Sequence, residues 1–376
     1  MPKDVFGIIC AGSESEQLRT LISRRDVASL PIGGRYRIID FLLSNMVNSN
    51  ISNIGILTKK NCQSIMDHVG AGKEWDLDRK NGGLFILPPF DTSEGYVKPE
   101  GMLDELKNAE RFIEKEPQPY CLICKASVVY NNTYDKMFEQ HIETGADITI
   151  LYNIESPMAD KSELAGEQFV LKMDDSGRVM DIQYAPTENE ECCRSMECLL
   201  IHKELLKYLM DNAYSYNKHN QMVDVIKDNL SNLKVYGFKH EGYSARITSV
   251  ANYFKASMDM LKPKVLHDLF YTGNNVYTKT KDEPPTQYGE HASVENSMIA
   301  SGCTIEGTVE NSIVFRGVHV GKDVKIKDSV IMQNSQIYDN SVLDKVILDK
   351  NAVIRPNSQL IGTVAYPVVI PKGGIV

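Results

Sequence analysis

Positive charge is scarce in this sequence. Against 50 Asp and Glu stand 41 Lys and Arg, a formal charge of −9 at pH 7. That balance excludes bulk nucleic-acid binding, which needs a basic surface. A long apolar run is missing as well: nothing approaches the roughly 18 residues that a membrane span requires. The opening MPKDVFGIIC has neither the basic region nor the apolar stretch of a secretory signal. Cysteine is present but unpatterned. Of eight, only Cys121 and Cys124 have metal or redox spacing, and no second pair answers them. They lie in the apolar run YCLIC, which reads as a buried strand with inert thiols. The absences together predict a reduced, cytoplasmic setting without membrane or nucleic-acid partners.

What is present divides into two periods. A chain of 376 residues exceeds one ordinary core, and two domains are expected. Residues 1–262 alternate apolar runs with helical patterns. SNIGILT (52–58), YCLIC (120–124) and ADITILYN (146–153) read as strands, whereas LDELKNAERFIEK (103–115) and YDKMFEQHIETG (134–145) read as amphipathic helices. Such alternation predicts a mostly parallel sheet covered on both faces, with ligands beyond the carboxyl ends of its strands. Residues 263–289, which end in KDEPPTQYG (281–289), read as a linker. In residues 290–376 the period becomes six: Val314, Val320 and Ile326, then, after a one-residue slip, Ile331, Ile337 and Leu343. A six-residue aliphatic repeat with Gly, Asn, Asp and Ser between predicts a β-helix. A β-sandwich would not hold that spacing over so many turns.

The opening strand runs into ICAGSESEQLRTL (9–21), a strand, small-residue turn and helix of the kind that places backbone N–H groups around a phosphate. Yet Glu14 and Glu16 have the wrong sign for an anion. Three further stretches carry a specific resemblance: GGRYRIIDFLLSNMVNSNISNIGILT (33–58), GKEWDLDR (72–79) and GGLFILPPF (82–90). With EGYSARITSVANYFKASMDML (241–261) and SVENSMIASGCTIEG (293–307), they resemble the glucose-1-phosphate adenylyltransferase (ADP-glucose pyrophosphorylase) family over nearly the whole chain. The resemblance implies a Rossmann-like nucleotidyltransferase domain, a GT-A-like mixed sheet, followed by a left-handed parallel β-helix. It also implies a reaction of ATP with glucose 1-phosphate to give ADP-glucose and pyrophosphate.

Matched to that family, the positions of the chemistry are altered. The arginine of G-G-x-G-T-R-L falls on Gln17, and the lysine of K-P-A-V-P-F-G-G on Val27. The metal-binding aspartates fall on Ser127 and Arg246, and the sugar-phosphate lysine on Ala185, beside Tyr184 where a glutamate belongs. The glycine of S-M-G is Glu197, while Ser195 is kept as a residual sugar contact. A hydroxyl and a guanidinium do not hold Mg²⁺, so no catalytic residue, no metal and no cofactor are expected. Arg24, Arg25 and Arg37 match basic positions that bind effector phosphates in catalytic relatives, the alternative being a solvated charged face. The pattern is most similar to the family's non-catalytic regulatory branch. That implies a catalytic partner subunit in a hetero-tetramer, a homo-oligomer in isolation, and a sugar-phosphate or nucleotide effector. A weakly active nucleotidyltransferase and a stand-alone sugar-phosphate sensor are the other readings. Asp104 reads as a solvated first-turn helix residue, His68 and His219 as packing or surface groups, and Trp75 equally as core or as a loop at the site mouth.

Overall fold

The computed structural model describes residues 4–12, 16–59, 61–89, 91–92, 95–96, 101–155, 169–184, 191–216 and 221–376. Among the described residues, nine strands form one mixed sheet: Val5–Cys10 (β1), Asn53–Leu57 (β2), Gly83–Leu87 (β3), Tyr120–Lys125 (β4), Ile148–Glu155 (β5), Phe169–Met173 (β6), Val179–Tyr184 (β7), Cys192–His202 (β8) and Val235–Lys239 (β9). Their order is β7-β6-β8-β4-β1-β2-β3, with β5 pairing both β8 and β9. The β4-β1-β2-β3 portion is parallel, and β8 runs antiparallel to β4 and β5. β1 is buried along its whole length because alternate side chains enter different cores: Val5 and Ile9 one, Phe6, Ile8 and Cys10 the other.

The expected helix over 103–115 is two helices, Met102–Asn108 and Glu110–Lys115, broken at Ala109. That over 134–145 runs from Asp135 to Thr144 and stops where Gly145 adopts φ 58°. Part of the expected linker is ordered: Pro263–Phe270 is a helix, with proline in its first turn and Val265 and Leu269 buried four residues apart.

From Gln287 to Ile370, short strands stack into three five-stranded parallel sheets, the β-helix that the six-residue spacing predicts, left-handed as the resemblance implies. Val314, Val320, Ile326, Ile331, Ile337 and Leu343 are all buried in its core. Two steps of six and one of five make a coil, and equivalent groups in successive coils bond 17 residues apart: Ser329 N to Ser312 Oγ, then Val346 N to Ser329 Oγ. The corners use left-handed backbone at Asn and Asp, as at Asn311 (φ 45°) and Asp328 (φ 45°).

The β-helix packs on the N-terminal domain through one shared core. Leu18, Leu30, Phe41, Tyr253 and Met260 meet Ile313, Phe315, Met332 and Ile347 there. Phe315 is fully buried. Phe315→Ala should lower unfolding free energy by about 3–5 kcal/mol, measured as a fall in urea midpoint with an unchanged slope.

Candidate functional site

The carboxyl ends of β4, β1 and β2 lie side by side: Ala126 N donates to Cys10 O at 2.9 Å and Ala11 N donates to Leu57 O at 2.9 Å. Ser127 follows β4 directly. A short antiparallel pair, Val128–Tyr130 with Ser244–Arg246, sets Arg246 opposite Val128, and Ile247 N donates to Ser127 O at 2.7 Å. The two residues at the expected metal positions are thus brought together by backbone pairing.

Glu197 arrives from β8. Pairing with β5 slips between Leu151/Cys198 and Tyr152/Ser195, leaving Met196 and Glu197 in a bulge. There Glu197 takes φ 53°, the left-handed region, at a cost of roughly 1–2 kcal/mol for a residue with a Cβ. The bulge turns its side chain into the strand-end site. Its carboxylate accepts from Arg246 Nη1 at 2.9 Å and Ser127 Oγ at 3.1 Å, and Lys125 Nζ lies 3.3 Å away. The side chains of Glu197 and Arg246 are 5% and 7% exposed, so this ion pair is shielded from water. A second guanidinium nitrogen of Arg246 donates to Ser195 O. Burial pushes the Glu197 carboxyl up, but Lys125, Arg246 and the Ser127 hydroxyl outweigh it and hold the group below the ordinary glutamate range. Its contribution to stability is therefore present above the unfolded pKa and lost as pH falls through the folded value.

This site does not fit a divalent cation. Arg246 fills one metal position with fixed positive charge, Ser127 supplies only a neutral oxygen, and the carboxylate at hand is already taken by two cations. Among the described residues no cluster of three His, Cys, Asp or Glu has metal-binding geometry. The stem of Lys59 packs against Gly12: a Cβ on Gly12 would sit 2.4 Å from Lys59 Cγ. Lys59 reaches Glu105 at 3.4 Å.

The remaining predicted positions are scattered. Gln17 is exposed on the 3-10 helix Glu16–Ile22. Val27 is wholly buried in the inter-domain core, so its side chain faces apolar neighbours. Ser195 is buried and its hydroxyl accepts from Glu197 N at 3.2 Å inside the bulge. Tyr184 donates to Asp224 on the surface. Ala185, Glu14 and His219 lie outside the described residues, as does the side chain of Glu16. Asp104 sits half-buried in the first turn of its helix. Trp75 is core, 2% exposed, and His68 is a buried packing residue whose Nε2 meets Asp40 Oδ1 at 2.5 Å. Cys121 and Cys124 enter opposite faces of the sheet and do not share a ligand.

The arginines divide. Arg35 stacks over the Tyr36 ring, 5.6 Å from its centroid. Arg24, Arg25 and Arg37 line a cavity of about 250 Å³ at the domain junction, together with Lys350, Lys372, Asp67 and Asp349. Among the described residues, five basic side chains face two carboxylates there. Arg25 is buried, pairs with Asp349 and donates through Nε to Leu21 O at 2.8 Å. Arg37 donates to Ser64 Oγ at 3.0 Å. Burial, with Arg25 and Arg316 nearby and Asp40 opposing, lowers the Arg37 pKa to about 10. Lys350 falls to about 7, through burial first and then Arg37 and Arg25. Sequence reasoning missed Lys125, Lys350 and Lys372. It read Glu197 only as a lost glycine, although a carboxylate gained at one family position and a guanidinium at another were a visible sign of pairing.

A nucleotidyl transferase family profile matches residues 6–262, and a GlmU-like C-terminal hexapeptide profile matches residues 284–365. The chain is 33% identical to the glycogen biosynthesis protein GlgD of Bacillus subtilis (strain 168), over 98% of this chain and 96% of that one. It is 37% identical to the GlgD of Geobacillus stearothermophilus, over 100% and 98%. To the glucose-1-phosphate adenylyltransferase of Geobacillus stearothermophilus it is 33% identical, over 87% and 84%. A full-length likeness in sequence, on a mixed-sheet domain followed by a β-helix, establishes that the chain belongs to the nucleotidyl transferase family of glucose-1-phosphate adenylyltransferase and GlgD.

Proposed function

We propose that this chain is a regulatory, non-catalytic subunit of a bacterial glucose-1-phosphate adenylyltransferase, acting in glycogen biosynthesis. The observation that carries the reading is the buried set Lys125–Glu197–Arg246–Ser127. Transfer of a nucleotidyl group develops charge on phosphate oxygens and depends on cations placed to meet it. Here two cations at the strand ends are bound to the chain's own carboxylate, and a guanidinium and a hydroxyl stand where a divalent cation would need carboxylates.

The junction cavity supports a regulatory role. It joins both domains, so an anion bound between Arg24, Arg37, Lys350 and Lys372 would bias their packing. Ile361, Val364 and Tyr366 leave apolar surface exposed near the end of the β-helix, where a neighbouring subunit would cover it. A catalytic relative in a hetero-tetramer is the partner this reading requires.

The purified chain, freed of any catalytic subunit, should form no ADP-glucose above background with Mg²⁺ or Mn²⁺, while co-expression with a catalytic subunit should change that subunit's effector response. Robust turnover by the chain alone would overturn the reading. An effector response identical with and without the chain would leave only a stand-alone sensor.

Arg25 is unsuited to testing the cavity, because its loss strands Asp349 in the domain junction. Arg24 and Lys372 are exposed. Removing both together should weaken the mixed enzyme's apparent effector affinity about fivefold, roughly 1 kcal/mol, with assembly by sedimentation unchanged. Lys350 adds a pH dependence. Its pKa of about 7 lies below the ordinary 10.5, so a bound anion raises it and takes up a proton. Anion affinity should fall as pH rises from 7 to 9, and titration calorimetry in two buffers of different ionisation enthalpy should show the uptake. For the same group, folding stability rises with pH through that window, since the unfolded chain holds the proton longer.

A further inference from the structure

We propose that the strand-end site is an oxyanion site of the phosphate or sulfate class, which the chain fills with its own Glu197 carboxylate. Three donors from separate segments converge on that group: Lys125 from the end of β4, Ser127 from the turn after it, and Arg246 from the Ser244–Arg246 strand. Two cations and a hydroxyl around one small volume are what a tetrahedral oxyanion uses, and a guanidinium matches its paired oxygens. Lys125 also acts on Glu105, which is itself engaged by Lys59 at 3.4 Å. Without the Glu197 side chain, Lys125 and Arg246 would lose the carboxylate they share.

The backbone favours the same conclusion. The bulge holds residue 197 at φ 53°, a conformation that glycine adopts without penalty. The left-handed geometry is a property of the β5–β8 slip and is strained, not created, by the glutamate. Replacing Glu197 by glycine therefore empties the site and leaves the strand that builds it in place. The charge pattern is the inverse of a metal centre: fixed cations surround an anion, and the anion is part of the chain.

The test is phosphate binding by the full chain, followed by calorimetry with inorganic phosphate at matched ionic strength in chloride. Wild-type protein should show no more than the junction-cavity equivalent. Glu197→Gly should add one equivalent, bound at least about tenfold more tightly than any phosphate bound by wild type at this site, as expected for charge-assisted bonds. Adding Arg246→Ala to Glu197→Gly should abolish the added equivalent and leave the cavity equivalent unchanged. Glu197→Gln, which keeps the shape and removes the charge, covers poor folding of the glycine variant and should give a smaller gain in the same direction. Equal phosphate binding by wild type and both variants, or a gain that survives Arg246→Ala, would overturn the proposal. The inference deepens the regulatory reading but reports separately from it: phosphate equivalents are counted on the isolated chain, whereas the regulatory role is read from a partner's effector response.

Discussion

One carboxylate shared by two cations organises the strand-end site. Glu197 lies within bonding distance of Arg246 and Ser127 and close to Lys125, with its side chain almost entirely out of water. Taking these charges from solvent is costly, and their mutual attraction with the Ser127 hydroxyl offsets it only while every member is present. Loss of either side of the Glu197–Arg246 pair would leave a buried charge, at about 3–5 kcal/mol. The same set ties β4, the bulge in β8 and the Ser244–Arg246 strand to one another. It also accounts for a glutamate persisting in left-handed backbone: the strain of roughly 1–2 kcal/mol is smaller than the cost of leaving Arg246 buried without its partner.

The second constraint is the domain junction. An apolar core containing Phe41, Tyr253, Phe315 and Ile347 joins the sheet domain to the β-helix, and the buried Arg25–Asp349 pair lies across the same junction. Next to it the chain concentrates five cationic side chains in a protein of net charge −9. Concentrated like charge destabilises a fold unless something opposes it, and Lys350, depressed first by burial, is lowered further by Arg37 and Arg25. An anionic ligand would relieve it, and relief felt by both domains is the physical basis for coupling.

The β-helix was the most legible part of the sequence. Its core is a stack of identical positions, so Val314, Val320 and Ile326 advertise it without any long-range information. The strand-turn opening and the alternating pattern likewise gave the parallel half of the sheet, because buried strands leave a local apolar signal. What stayed hidden depended on distance along the chain. Arg25 meets a partner 324 positions away, and Arg246 one 49 positions away that a bulge turns into place. Trp75 was ambiguous because charged neighbours flank a side chain that is nevertheless core. Val27 marked a lost lysine in sequence, yet its buried surroundings show that the position serves the domain junction.

The ionisation of Glu197 tests the account most directly. A carboxyl this buried would titrate well above the ordinary range if it stood alone, whereas one held by Lys125, Arg246 and Ser127 titrates below it. Carbon-detected NMR of the Glu197 side-chain carboxyl, titrated on the intact chain, separates the two. The account predicts an apparent pKa below that of an unperturbed glutamate, about 4.3, and a rise above that value when Arg246 is replaced by alanine. A wild-type value above the ordinary range would show that the carboxylate is not paired and would contradict the self-filled site.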